Sequence, residues 1–358
     1  MALTWPAEVE LLRDLVATPS ISGAEEDAGR LVEETVRAWG LDVVRDDAGV
    51  RVVVEGARPG PTLAFISHLD VVPPGAGWTR DPFRPSIEEG RLYGRGSGDA
   101  KASVAAMLFA AWDASARGAL GAGRLAVLLG YGEETRHTSM PVALERIGAV
   151  DAAVVGEPTN LDFAVAQRGL MMVDLVARGD QRHAGYAAED GTFTNSVVAL
   201  AADLVRLPRV LSGRPHPILG EATATPTMLE AGVSRNVTPP SARAVLDIRS
   251  TPAWSHGEIA EVMRERLESE VVVTSDRLVP CETPAGSRIL ATAAGIRPDA
   301  RHYGSPTCSD WVFLRHADAF KCGPGTSQRS HTADEHVDLH EVTAARLFYA
   351  RLAREYLQ

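Results

Sequence analysis

Residues 62–72 read TLAFISHLDVV, an apolar run that ends in His68 and reaches Asp70 two residues later. An unbroken run of this kind is typical of a strand that is buried on both faces. Such strands occur in sheets that carry helices on both sides. The stretch therefore predicts an interior strand of an α/β sheet, with two polar side chains at its end.

Similar apolar runs recur on both sides of this stretch, and helical patterns separate them. Short runs rich in β-branched residues predict further strands at 41–45, 50–55, 124–131 and 152–156. Apolar residues at helical spacing, together with one alanine-rich stretch, predict helices at 7–17, 24–39, 100–117 and 341–356. The alternation of strand and helix predicts an α/β fold with a mostly parallel sheet flanked by helices.

The sequence pattern changes near residue 168 and changes back after residue 278. Between these positions it predicts a strand, a helix near 195–207, two strands joined at Pro239-Pro240, a helix near 255–268 and a strand near 270–278. This order is that of a compact, ferredoxin-like α+β unit. We therefore expect one domain built from 1–167 and 279–358, and an inserted second domain at 168–278.

Composition narrows the classes of partner. The chain has 358 residues and a net charge of -11, from 47 acidic and 36 basic residues, and this charge disfavours nucleic acid as a partner. Its three cysteines form no C-x-x-C pair and fit a reduced compartment. We see no signal peptide and no apolar run long enough to span a membrane, so we expect a cytoplasmic protein with no membrane partner.

Five segments of the chain end in side chains that bind hard metal ions. The segments are FISHLDVV with His68, GRGSGDAKAS with Asp99, GYGEET with Glu133 and Glu134, VVGEPT with Glu157, and SQRSHTADEH with His331. Imidazole and carboxylate together suit zinc and its first-row neighbours, and the set is large enough for two adjacent ions. Three of the segments follow predicted strands, whose carboxyl ends share one edge of an α/β sheet.

The set holds one carboxylate more than ligation requires, because Glu133 and Glu134 are adjacent. One of the two can bind metal while the other transfers protons. This division of work favours hydrolysis by a metal-activated water over a purely structural ion.

The five motifs, in this order and spacing over nearly the whole chain, resemble the co-catalytic zinc aminoacylase and carboxypeptidase family. The resemblance extends to GWTRDPFRPSIEEGRLYGRGSGDAKAS and GPGTSQRSHTADEHV. It implies a zinc-peptidase-like catalytic domain and an inserted dimerisation or lid domain. It also implies two divalent ions per chain, zinc first and cobalt as an alternative. Asp99 would bridge them, with His68 and Glu157 on one ion and Glu134 and His331 on the other.

The same resemblance implies roles for residues that bind no metal. Glu133 would be the general base, and Asp70 would hold the ring of His68 through its second nitrogen. His183, in relatives supplied by the partner subunit, would stabilise the oxyanion. The positions that match substrate-binding residues in the family are Arg168, Asn236 and Arg249 in the inserted domain, and Thr307 in the catalytic domain.

Within the family, the chain resembles deacylases of N-acyl-ornithine or N-acyl-citrulline. This resemblance predicts that the ligand is a small N-acyl amino acid. It predicts hydrolysis of acetylornithine, a step of arginine synthesis. Three other activities share the same site: desuccinylation of succinyl-diaminopimelate, hydrolysis of carrier-bound lysine or ornithine (a possibility kept open by Ala100-Lys101), and dipeptide cleavage. A metal-free binding protein that keeps the fold is the non-enzyme alternative. We also expect a homodimer, formed by edge strands of the inserted domain.

Overall fold

The computed structural model describes residues 5–187 and 193–358. The chain divides into two compact units. The first unit runs up to Val165 and resumes over Thr283–Tyr303 and Ser309–Gln358, and the second comprises Ala166–Glu282 and Gly304–Cys308. The insertion expected at 168–278 lies within the second unit. The sequence did not predict that Gly304–Cys308 belongs to the second unit. This segment places Thr307 in the second unit instead of the first.

The strands and helices alternate along the first unit and follow the expected order in the second. The strands are β1 (Val43–Asp46), β2 (Gly49–Glu55), β3 (Thr62–His68), β4 (Ser86–Glu88), β5 (Arg91–Tyr93), β6 (Arg124–Gly130), β7 (Ala152–Val155), β8 (Phe163–Gln167), β9 (Gly169–Arg178), β10 (Thr223–Ala231), β11 (Ser241–Ser250), β12 (Glu270–Leu278), β13 (Cys281–Glu282), β14 (His302–Ser305), β15 (Asp318–Lys321) and β16 (His336–Asp338). The α-helices are α1 (Ala7–Ala17), α2 (Glu26–Ala38), α3 (Lys101–Ala116), α4 (Ser139–Ile147), α5 (Ser196–Val210), α6 (His256–Arg266), α7 (Arg288–Ile296) and α8 (Leu339–Tyr356).

The first unit is built on a sheet with the strand order β1-β2-β6-β3-β7-β15-β8. Its central strands β6, β3, β7 and β15 run parallel, whereas β1, β2 and β8 pair antiparallel with their neighbours. All seven residues of β3 are buried. The predicted α/β class with a mostly parallel sheet is therefore confirmed.

Helix α3 explains why the alanine-rich stretch is so apolar. It packs against α1 and α8 and also against strands β2, β3 and β6. Small alanine side chains allow close approach on several sides at once, and the helix is buried almost all round from Lys101 to Ala111. Even Lys101 is fully buried, and its ammonium donates to the carbonyls of Leu15 (2.8 Å) and Thr18 (3.0 Å) at the end of α1.

The second unit is a four-stranded antiparallel sheet with the order β10-β11-β9-β12 and two helices. This is the ferredoxin-like arrangement that the sequence predicts. Residues of β11 alternate between buried and half-buried, as expected of a strand with one face in a core. Helix α5 packs on β9, β10 and β11, and α6 packs on β12. The edge strand β10 is exposed over most of its length.

Some elements differ from the sequence expectation. Helix α5 continues to Val210, beyond the expected end near residue 207, and it includes Pro208. A small three-stranded sheet with the order β16-β5-β4, and helices α4 and α7, were not predicted because their runs are short. Among residues 5–187 and 193–358, no helix is both long enough and apolar enough to cross a membrane.

Arg346 links three helices of the first unit. From α8 its guanidinium donates to both carboxylate oxygens of Asp113 on α3, at 3.0 and 3.1 Å. It also donates to Glu8 on α1 at 2.7 Å and lies over the ring of Phe109. Because the side chain of Glu8 is only 2% exposed, its charge depends on this partner.

We predict that Arg346→Met lowers the free energy of unfolding by about 2 kcal/mol or more, because it leaves the buried charge of Glu8 unpaired. The matched control is Arg351→Met on the same helix, where the ion pair with Glu355 is largely exposed. That change should cost less than about 0.5 kcal/mol. Urea unfolding of both variants measures the difference, and equal losses would contradict the assignment.

Candidate metal centre

Three adjacent parallel strands of the first unit present polar side chains at their carboxyl ends. His68 is the last residue of β3, while Glu133 and Glu134 follow β6 and Glu157 follows β7. Strands β6 and β7 both pair with β3. Because the carboxyl ends of parallel strands lie at the same edge, these four side chains converge there, as the sequence predicts.

Two residues from other segments complete the cluster. Asp99, just before α3, has Oδ1 3.3 Å from His68 Nε2 and Oδ2 3.6 Å from His331 Nε2. Glu157 Oε1 lies 4.0 Å from His68 Nε2, and Glu134 Oε1 lies 2.9 Å from His331 Nε2. The two oxygens of Asp99 thus face one imidazole each, and each imidazole faces one further carboxylate. This is the arrangement of a bridging carboxylate between two metal positions.

The ring of His68 provides an independent test of whether this cluster fits a metal. Its Nε2 is buried, and no hydrogen-bond partner for it exists within 5–187 and 193–358. A buried polar atom without a partner is costly unless something else binds it. One donor atom from each of His68, Asp99 and Glu134 lies within 4.8 Å of the other two. The described residues therefore fit a first-row divalent ion at this position.

The glutamates of this cluster resist ionisation because they are buried close to other carboxylates. Burial raises the pKa of Glu157 to about 8, and the charge of Asp99 adds to the rise. Burial also raises the pKa of Glu133 well above its ordinary value, with the charge of His68 opposing this and that of Glu157 adding to it. Buried like charges favour a bound cation, since a cation offsets both the burial of each carboxylate and the repulsion between them.

Asp70 has more partners than the sequence predicts. Its carboxylate accepts the N–H groups of Glu133 and Glu134, each at 3.0 Å, and the hydroxyl of Ser22 at 2.7 Å. The Nδ1 atom of His68 lies 3.0 Å from the main-chain oxygen of Asp70 and 3.5 Å from its carboxylate Oδ1. Asp70 therefore fixes the loop that carries the two glutamates, and its role in holding the ring of His68 stays a prediction.

Glu335 holds the Asp99 loop and was missed from the sequence. Its carboxylate accepts the N–H groups of Gly98 (3.0 Å) and Asp99 (3.1 Å) and pairs with Arg95. The side chains of Glu335 and Arg95 are both 1% exposed. The available signal was the position of Glu335 within the motif that contains His331, but nothing in the spacing shows that it turns towards Asp99.

A second group of possible ligands was also missed. Glu133 Oε1 lies 3.7 Å from His137 Nδ1, which lies 2.9 Å from Asp310 Oδ1. One donor atom from each of the three lies within 4.8 Å of the other two. His137 is four residues beyond Glu133 in the same loop, and this spacing was the only sequence signal.

The expected substrate-binding arginines already have partners inside the second unit. Arg168 donates to the main-chain oxygens of Glu221 (2.8 Å), Arg249 (3.1 Å) and Leu219. Arg249 donates from Nε and Nη2 to the carboxylate of Asp247, at 2.7 and 3.0 Å. Arg168 therefore organises the backbone of its own unit, and the roles of Arg168 and Arg249 towards substrate stay predictions.

The three other predicted residues also lie in the second unit. His183 and Asn236 are exposed neighbours there, since the N–H of Ala184 donates to the main-chain oxygen of Asn236 at 2.8 Å. The hydroxyl of Thr307 lies 3.0 Å from that of Ser305. Their roles towards substrate stay predictions.

We predict that Asp99→Asn weakens zinc binding at both positions by at least about 10-fold, because each imidazole loses the charged oxygen it faces. Glu133→Gln, which removes one charge from the same cluster, should keep both ions. Elemental analysis after dialysis against buffered zinc measures the metal content, and circular dichroism checks the fold. Full zinc occupancy in Asp99→Asn would contradict a bridging role.

Comparison with known sequences supports the same kind of centre. Residues 64–355 match the model of peptidase family M20/M25/M40. The succinyl-diaminopimelate desuccinylase 2 of Ruegeria sp. is 30% identical over 97% of this chain and 94% of its own length. The succinyl-diaminopimelate desuccinylase of Cereibacter sphaeroides is 31% identical over 97% of this chain and 98% of its own.

Solved structures share the whole fold at low sequence identity. Aminopeptidase PepT from Bacillus cereus superposes with a TM-score of 0.81 at 19% identity, covering 98% of both chains. A Bacillus subtilis protein described as a dinuclear metal-binding peptidase of family M20 superposes with a TM-score of 0.76 at 17% identity, covering 98% of this chain and 97% of its own.

Proposed function

Because the chain belongs to peptidase family M20/M25/M40, we propose that it hydrolyses the amide bond of an N-acylated amino acid with two divalent ions. His68 and Glu157 would bind one ion, Glu134 and His331 the other, and Asp99 both. The observation that carries this proposal is the carboxylate of Asp99, with one oxygen towards each imidazole. The mixture of imidazole and carboxylate favours zinc, with cobalt as the alternative.

Glu133 is the proposed general base. When bound, the two ions lower the pKa of a water molecule and polarise the amide carbonyl. Glu133 is buried beside the ligand Glu134, yet it has no place in the two ligand sets, so its carboxylate is available for proton transfer. It would take a proton from the attacking water and deliver it to the departing amine. A complete ligand set together with this base argues against a metal-free binding protein.

Succinyl-diaminopimelate is the leading substrate. The two curated relatives described above are both desuccinylases, which supports this alternative over acetylornithine, the first expectation from the sequence motifs. Both substrates carry an amide beside an α-carboxylate, and they differ in the acyl group and in the side chain of the amino acid. Acetylornithine remains the second candidate because of the stretches that resemble N-acyl-ornithine deacylases. Carrier-bound lysine or ornithine and dipeptides complete the candidate set.

The inserted unit is proposed to form a homodimer through β10. This edge strand exposes Met228 by 54% and Leu229 by 65%, and among the described strands it pairs only with β11. An exposed, apolar sheet edge is a favourable surface for pairing with a second copy. In such a dimer His183, exposed on the same unit, would act on substrate bound by the partner.

We expect the zinc-reconstituted protein to cleave succinyl-diaminopimelate faster than acetylornithine, acetylcitrulline or dipeptides, and Glu133→Gln to cleave none of them appreciably. Initial rates of amine release over the whole panel, with kcat/KM for each substrate, provide the measurement. Faster turnover of acetylornithine would replace the first candidate by the second. No turnover of any N-acyl amino acid would remove the proposed function itself.

We predict that Leu229→Arg converts the dimer to monomers, because a charge would be buried at the paired edges. The matched control is Leu347→Arg on α8 of the first unit, where the leucine is 63% exposed. Sedimentation velocity should give the mass of two chains for the wild type and for Leu347→Arg. A wild-type protein that is monomeric and fully active would contradict both the dimer and the role of His183 across it.

A further inference from the structure

His137 lies between the proposed general base, Glu133, and the buried carboxylate of Asp310. Its Nδ1 is 2.9 Å from Asp310 Oδ1 and 3.7 Å from Glu133 Oε1. The side chain of His137 is 12% exposed, that of Asp310 4% and that of Glu133 8%. All three residues belong to the first unit. An imidazole shared by two buried carboxylates is not explained by packing alone.

The loop that carries His137 is tightly closed. The carbonyl of Gly132 accepts the N–H groups of both Arg136 (2.9 Å) and His137 (2.8 Å). The hydroxyl of Ser139 accepts from the N–H of Tyr131 at 2.9 Å and donates to the carbonyl of the same residue. His137 has φ of +48°, a left-handed conformation that costs a side chain other than glycine about 1 kcal/mol or more. The fold therefore holds this ring in position despite an unfavourable backbone conformation.

Asp310 determines which ring nitrogen of His137 carries a proton. It begins a short 3-10 helix over Asp310–Phe313, and its side chain is buried there. An ionised carboxylate can only accept hydrogen bonds, so Nδ1 of His137 must be the donor in the 2.9 Å contact. The same N–H edge of the ring faces Glu133, and Asp310 thereby fixes the orientation that the ring presents to the base.

We propose that His137 is a positioning residue for Glu133, held in place by Asp310. Its Nδ1 lies 3.7 Å from Oε1 of the Glu133 carboxylate, and this contact would restrict rotation of that group. This inference rests on the proposed function, in which Glu133 is the general base. Its ring nitrogen faces Glu133 and Asp310, which belong to neither ligand set, so its effect on turnover would pass through Glu133.

The experiment compares four variants in the zinc-reconstituted protein. His137→Ala removes the ring, and Asp310→Ala removes its anchor. His137→Asn restores an N–H near the position of Nδ1, and asparagine tolerates the left-handed backbone well. Arg136→Ala, one residue away and exposed, is the matched control. Each variant is characterised by its zinc content, its urea unfolding midpoint and its kcat and KM on whichever amide the wild type cleaves fastest.

We expect His137→Ala and Asp310→Ala to lower kcat by about 10- to 100-fold, the usual effect of losing a supporting contact, with KM within about 2-fold and both zinc ions retained. His137→Asn should recover most of kcat, and Arg136→Ala should match the wild type. In a Glu133→Gln background, His137→Ala should lower the residual rate no further, because the two residues act as one unit.

Several results would overturn the proposal. Wild-type kcat in His137→Ala would remove any functional role, and loss of zinc in that variant would make His137 part of the metal centre instead. An additive loss in the Glu133→Gln background would show that the ring acts independently of the base. A kcat in His137→Asn as low as in His137→Ala would show that the N–H is not the feature that matters.

A crystallographic readout separates this inference from the proposed function. In zinc-loaded wild type and His137→Asn, the Glu133 carboxylate should occupy one orientation, whereas in His137→Ala it should occupy several or a different one. An unchanged Glu133 in His137→Ala would overturn the positioning role even if the wild type cleaved nothing in the panel. A displaced Glu133 in a protein without amidase activity would instead count against the proposed function alone.

Discussion

The crowding of carboxylates at the carboxyl ends of β6, β3 and β7 is the constraint on which the rest of this site depends. Asp99, Glu133 and Glu157 are all buried there. Two like charges 4 Å apart in such surroundings repel by about 4 kcal/mol. The imidazoles of His68 and His331 lie between the carboxylates and offset part of this repulsion, but His68 Nε2 has no hydrogen-bond partner among the described residues. Divalent cations would reduce the repulsion between the carboxylates and would also bind His68 Nε2.

The ligand side chains are free to bind metal because other carboxylates support the backbone. Asp70 accepts the N–H groups of Glu133 and Glu134, and Glu335 accepts those of Gly98 and Asp99. The carboxylates of Asp70 and Glu335 are buried and accept main-chain N–H groups. They fix the two loops without occupying the atoms that would bind metal. The geometry of the centre is thus set by backbone hydrogen bonds to residues outside the ligand set.

The sequence predicted those parts of the molecule that depend on long apolar patterns. The buried strand β3, the alanine-rich α3 and the order of the inserted unit follow from periodicity over many residues, and the placement of His68, Glu134 and Glu157 follows from their positions after predicted strands. Glu335 could not be predicted, since it reaches a backbone 236 residues away. Arg168 was predicted to bind substrate because its position matches that of a substrate-binding residue in the family, and the three carbonyls that also accept from it become its neighbours only after folding.

Glu133 and Glu134 show how adjacent residues of one type can acquire different chemistry. Both main-chain N–H groups bind Asp70, but the side chains diverge. Glu134 meets His331, which comes from 197 residues further along the chain, whereas Glu133 faces His137 in its own loop. The metal positions therefore require distant segments to assemble, while the base and its neighbouring imidazole share one loop, which Asp70 and Asp310 hold in place.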